Sequence, residues 1–80
     1  MSDSESKFEK LFIKTMNLSA NTDLESAKYG QPANWDSIRH VELFIYITRD
    51  FKVSFSAREI TELNTYAQLK QALLHKLGET

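Results

Sequence analysis

Residues 35–51, WDSIRHVELFIYITRDF, hold neither glycine nor proline, and their apolar side chains fall on two sides of a helix rather than one. Asp36 and Ser37 are residue types that favour a helix start, so the spacing predicts a helix from about Ser37 to Phe51. At about 100° per residue, Leu43, Phe44, Ile47 and Phe51 gather on one side. Ile38, Val41 and Ile45 gather on nearly the opposite side, with Arg39, Glu42, Tyr46, Arg49 and Asp50 filling much of the space between. A surface helix needs only one apolar stripe to join a core. The stripe ending at Phe51 has the larger residues and the longer reach, so it belongs to the core. The other then lies outside, and an apolar strip rimmed by polar residues is characteristic of a docking surface. The alternative is that neighbouring helices bury both stripes.

The rest of the chain must supply the neighbours. Eighty residues make a single domain, spanning 1–80. A chain this short buries a thin core, and without cysteine it has no disulfide to reinforce it. Packing alone must hold it, which favours local, helical contacts. A first helix is predicted from near Ser4, with Phe8, Leu11, Phe12 and Met16 on one face, fading over residues 17–21. Residues 17–35, NLSANTDLESAKYGQPANW, then form a long irregular connection, which is uncommon in a compact domain and tends to be functional. Leu18, Leu24 and Tyr29 are the residues that would pin it to the core, and Trp35 reads as an aromatic plug beneath it. After the second helix, KVSFS suggests a short extended connector. Ser56 and Glu59 form a capping box opening a short helix over about 57–63. Thr65 and Gln68 repeat the pattern and open a last helix with Leu69, Leu73 and Leu77 facing inward. Lys76 and then Gly78 suit its end. The predicted fold is an all-α, small four-helix bundle: three main helices, one short one, and a long loop between the first two.

Composition removes several functions. Ten basic against eleven acidic residues give a net charge of −1, with the basic residues read as scattered and without a run, unlike a nucleic-acid reader. The longest apolar run, residues 43–47, is far short of a membrane span. The polar start MSDSESKFEK is unlike a signal peptide, so the expected location is the cytoplasm. Two separated histidines and no cysteine provide no metal-ligand set.

Ser37 is the residue with chemistry to offer. Its plain reading is helix capping. Its functional reading is a hydroxyl at a helix tip that carries a phosphate ester, where free N–H groups and the partial positive charge of the helix N-terminus suit the phosphate. Asp36 would then cap the helix and be read by a modifying enzyme. His40, three residues on, invites a Ser–His dyad with Glu42 as its orienter. Glu42, however, points elsewhere around the helix, and no glycine-rich loop suggests an oxyanion hole, so catalysis by this chain is not expected. His40 instead reads as a partly buried or rim residue.

The ordered set DSIRHVELFIYITRDFKVSF followed by EITELNTYAQLKQAL resembles the acyl carrier protein family, over residues 34–77. That family reads Asp-Ser-aliphatic, Val-Glu-Leu, a Phe ending the helix, an extended aliphatic stretch, a short helix and a Thr-initiated last helix. The resemblance implies that Ser37 is the attachment point of 4′-phosphopantetheine, added from coenzyme A by a phosphopantetheinyl transferase. The arm's thiol would hold an acyl or aminoacyl group as a thioester, presented by a stand-alone, monomeric carrier to acyl-loading and acyl-processing enzymes. The missing cysteine fits, because the working thiol belongs to the cofactor. Asp36, Ile38, Val41, Glu42 and Ile45 fall where the family's second helix meets partner enzymes, and Ile60 falls near the arm and the acyl-chain pocket. Carriers of bulk fatty-acid synthesis have a strongly acidic second helix; here Arg39 and Arg49 offset Glu42 and Asp50. Trp35 stands where a small residue is usual, and the double glycine common in peptidyl carriers is absent. These departures suggest a dedicated polyketide, modified-lipid or aminoacyl pathway. Without a prosthetic group, the same chain would be a helical interaction module working through Ile38, Val41 and Ile45.

Overall fold

The computed structural model describes residues 3–31 and 33–78. Four α-helices follow in order: α1, Asp3–Met16; α2, Ser37–Phe51; α3, Ala57–Glu62; and α4, Tyr66–Lys76. A 3-10 turn, Leu24–Ser26, interrupts the long loop between α1 and α2. The helix starts follow local chemistry. Asp36 caps α2 by accepting the Arg39 N–H at 2.9 Å. Ser56 and Glu59 form the reciprocal capping box of α3. Thr65 caps α4 by accepting the Gln68 N–H at 3.1 Å. Gln68 departs from the box, since its Oε1 accepts the N–H of Asn64 instead of that of Thr65.

The ends of α1 and α2 use left-handed residues. Asn17 (φ 55°) ends α1 and lets the Leu18 N–H reach the Ile13 carbonyl at 3.0 Å, a terminus that satisfies the last carbonyls. Lys52 (φ 58°) ends α2 in the same region. Asparagine adopts this conformation readily, whereas lysine does so at a cost.

The core is one cluster. Phe8, Phe12 and Met16 of α1 meet Leu43, Phe44 and Ile47 of α2 and Tyr66, Leu69 and Leu73 of α4, all buried. Its centre is aromatic. The ring of Tyr66 stacks on Phe8 at 5.4 Å and takes Phe12 edge-on at 5.0 Å. Phe12 also meets Trp35 edge-on at 5.1 Å. Leu77 is only partly buried, and Leu74 joins the buried face beside Leu73. Burial of Tyr66, reinforced by Glu9, Glu25 and Glu5, pushes its hydroxyl pKa up to about 12.

The long loop is tied down at several points. Leu24 and Ala27 enter the core, and Leu18 packs against it. Asn34 donates to the Met16 carbonyl at 2.9 Å. Lys28 and Gln31 exchange both backbone hydrogen bonds around a tight turn in which Gly30 (φ +87°) takes the left-handed position. Beside that turn, the loop pairs with the junction between α3 and α4. The Tyr29 N–H meets the Asn64 carbonyl at 2.8 Å, and the Tyr66 N–H meets the Ala27 carbonyl at 3.0 Å. Lys70 adds an ion pair to Glu25 at 2.7 Å, which holds its ammonium pKa above the usual value. One expectation is corrected here: Tyr29 does not pin the loop to the core. Its side chain is 45% exposed and lies edge-on to the His40 ring at 5.5 Å, outside the core cluster, while its backbone does the tethering.

Among the described residues no helix is long and apolar enough to cross a membrane.

Candidate functional site

The two stripes of α2 part as their sizes suggest. Leu43, Phe44 and Ile47 are buried, and Phe51 packs partly buried against the core. Ile38, Val41 and Ile45 are 70%, 51% and 58% exposed, so neighbouring helices do not bury both stripes. The exposed strip begins at the helix tip, where Asp36 and Ser37 are both exposed.

At that tip the capping and chemical roles fall on different residues. Asp36 takes the Arg39 N–H and a 3.6 Å ion pair with the Arg39 guanidinium. Ser37 is the first helical residue, and its hydroxyl forms no hydrogen bond among the described residues. The first bond within the helix runs from the His40 N–H to the Asp36 carbonyl at 2.9 Å. The N–H groups of Ser37 and Ile38 therefore lack partners among the described residues, leaving the donor end of the helix free beside the hydroxyl.

Ser37 also borders a shallow groove of about 310 Å³, shared with Tyr29, His40, Val41, Ile60, Thr61 and Asn64. Its walls come from the loop, from α2, from α3 and from the residues just after α3. The structure thus brings Ser37, Val41 and Ile60 together. Ile38 and Ile45 lie on the open strip, and Asp36 at its tip. Glu42 is half-buried and lies outside the Ser37 groove, on the flank of the strip that borders a groove between α1 and α2.

His40 fixes the shape of the Ser37 groove. It is buried, with 7% of its surface exposed. The Trp35 Nε1–H donates to His40 Nδ1 at 2.9 Å, and His40 Nε2 meets the Ile60 carbonyl. An indole N–H can only donate and a carbonyl can only accept, so Nδ1 carries the lone pair and Nε2 the proton. Both ring nitrogens are thereby committed. Neither remains to take a proton from Ser37, so the Ser–His dyad does not form. The ring instead joins the loop, α2 and α3, and Phe44 closes on it edge-on at 5.1 Å. Trp35 is fully buried, as a plug beneath the loop should be.

Some of this was outside the reach of sequence reasoning. Tyr29 and Asn64 enter the groove through the loop pairing at 64–66, a contact without a local signal, and Thr61 comes in with α3. The basic residues, read along the chain as scattered, are gathered by the fold. Lys7, Lys10 and Lys14 share one face of α1, and with Arg49 they line a second groove of about 550 Å³ between α1 and α2. Their spacing of three and then four residues was the available signal.

Compared with known proteins, the chain matches no family model, no curated protein and no solved structure.

Proposed function

We propose that this chain is an acyl carrier protein, modified on Ser37 with 4′-phosphopantetheine and serving a dedicated polyketide, modified-lipid or other specialised pathway. The observation that carries the reading is the division of labour at the tip of α2. Asp36 performs the capping, which leaves the Ser37 hydroxyl exposed and without a hydrogen bond among the described residues. A serine needed for the cap would be occupied.

The surroundings fit the group. A phosphate on Ser37 Oγ would stand beside the N–H groups of Ser37 and Ile38, where the helix dipole favours negative charge. The adjacent groove offers Val41 and Ile60 as apolar walls and Thr61 and Asn64 as polar ones. When bound, the arm supplies a terminal thiol able to hold an acyl group as a thioester. The protein's own residues present it: α2 holds the attachment point, His40 sets the distance between α2 and α3, and Ile38, Val41 and Ile45 give partner enzymes an apolar ridge. Catalysis is left to those partners: the phosphopantetheinyl transferase, and the enzymes that load and process the acyl group. Cytoplasmic residence and a monomeric state suit a carrier that shuttles among them.

Incubation with coenzyme A and a promiscuous phosphopantetheinyl transferase, followed by intact-mass measurement, tests the reading. One phosphopantetheine should be gained by the wild-type protein and none by Ser37→Ala. An unchanged wild-type mass, or equal gain by the variant, would overturn it. The second reading, an interaction module without prosthetic group, draws on the exposed strip alone. It would show as a partner held equally well by unmodified protein and by Ser37→Ala.

A further inference from the structure

The groove between α1 and α2 lies outside the attachment site, and its charge is unlike that of the chain as a whole. Lys7, Lys10, Lys14 and Arg49 rim it, against Glu42 and Asp50, with Leu11 and Tyr46 in its walls. The net charge of the chain is −1. The fold separates that charge: Glu5, Glu9 and Glu25 gather around Tyr66 and Lys70, and the lysines of α1 gather on the groove.

Arg49 is engaged by Asp50 at 3.0 Å and by the Tyr46 ring, and Lys7 by the Asp50 carbonyl and the Phe51 ring. Lys10 and Lys14 take part in no ion pair among the described residues. On α2, Glu42 and Arg49 stand within about 60° of Ile38 and Ile45 around the helix axis. The basic groove and the exposed apolar strip therefore form one continuous surface.

We propose that this surface docks an acidic amphipathic helix of a partner protein, with carboxylates on Lys10 and Lys14 and apolar side chains on Leu11, Tyr46 and the Ile38–Ile45 strip. It rests on the carrier reading only in taking the exposed face of α2 as the docking face. A basic partner would meet four cations against two carboxylates here, with Lys10 and Lys14 in no ion pair among the described residues, so charge complementarity selects an acidic one. A concave cleft between two helices accepts a row of side chains. A flat anionic bilayer would press Glu42 and Asp50 against its own charge.

The test is a titration of isotope-labelled full-length protein, followed through its backbone amide NMR signals. The probe is a short amphipathic peptide of leucine and glutamate; its control has lysine in place of glutamate. The acidic peptide should shift the amides of Lys10, Leu11, Lys14, Tyr46 and Arg49. Its affinity should fall about tenfold or more between about 0.02 and 0.5 M salt, as screening requires. The Lys10→Glu/Lys14→Glu variant should lose about tenfold or more in affinity, and Lys10→Gln/Lys14→Gln, kept in case charge reversal perturbs folding, a smaller factor. Equal or tighter binding of the lysine peptide overturns the proposal. So do shifts confined to other faces, self-association through the groove, or anionic vesicles shifting these amides when the acidic peptide does not. Phosphopantetheine loading of wild-type protein is read separately by mass. Loading without acid-selective binding sinks this inference alone, and the reverse result sinks the carrier reading alone.

Discussion

Glu59 shows how much a single carboxylate can organise. It accepts the Ser56 N–H at 2.8 Å and an ion pair from Lys76 at 3.1 Å, so it closes the capping box of α3 and ties α3 to the last turn of α4. The hydrogen bond from the Ser56 backbone, followed by that from Lys76, holds its pKa below the ordinary value of 4.5. A pKa depressed in the folded protein stabilises it above the unfolded value and loses that contribution as pH falls through the folded value. Acid should therefore loosen α3 below about pH 4.5. The Glu59 carboxyl should titrate by NMR with a midpoint below 4.5, and that midpoint should rise in Lys76→Ala. At the other end of α3, His40→Ala should cost about 2–4 kcal/mol. It orphans the buried Trp35 N–H and the Ile60 carbonyl and leaves a cavity; a thermal melt measures the loss. The capping residues were legible in the sequence because their partners lie three residues away. The pairing of His40 with Trp35 and Ile60 was not, because one partner sits in a loop and the other twenty residues along the chain.

The elements were largely readable because a helical period repeats its signal every turn. α2 occupies Ser37–Phe51 as expected, α1 starts one residue before Ser4, and α3 stops one residue short of 63. The lysine face of α1 does not show along the chain, because acidic and apolar residues separate Lys7, Lys10 and Lys14, which meet only around the helix. The ends of the helices carry their own prediction. Lys52 closes α2 in a left-handed conformation that costs a residue with a Cβ about 1 kcal/mol or more. Lys52→Gly should stabilise the protein by about 0.5–1 kcal/mol and raise its melting temperature by several degrees. At the start of α2, Asp36→Ala should cost about 1 kcal/mol through the lost cap, and Ser37→Ala only a few tenths. Chemical denaturation of the two variants measures the difference, and equal losses would return the capping role to Ser37.

At the scale of the molecule, two large apolar residues should behave in opposite ways. Phe12 is fully buried among Phe8, Trp35 and Tyr66, and Phe12→Ala should cost about 3–5 kcal/mol. That is a large share of the whole stability of a domain of this size. Ile45 is mostly exposed, so Ile45→Asp should change stability by no more than about 0.5 kcal/mol. Melting curves separate the pair; a collapse in Ile45→Asp would move that residue into the core. The direction each stripe of α2 would face could not be settled from spacing alone. It depends on how many helices surround α2, and the other three leave Ile38, Val41 and Ile45 exposed.

The pairing of the loop with residues 64–66 has a consequence for amide exchange with solvent. The N–H groups of Tyr29 and Tyr66 point to carbonyls across a gap of more than thirty residues in sequence. Neither proton can be released by fraying of a helix end. Both wait for the loop to lift from the α3–α4 junction, so deuterium should enter the two positions late and at matching rates. The exposed turn at residues 28–31 would behave, by this clock, as part of the interior.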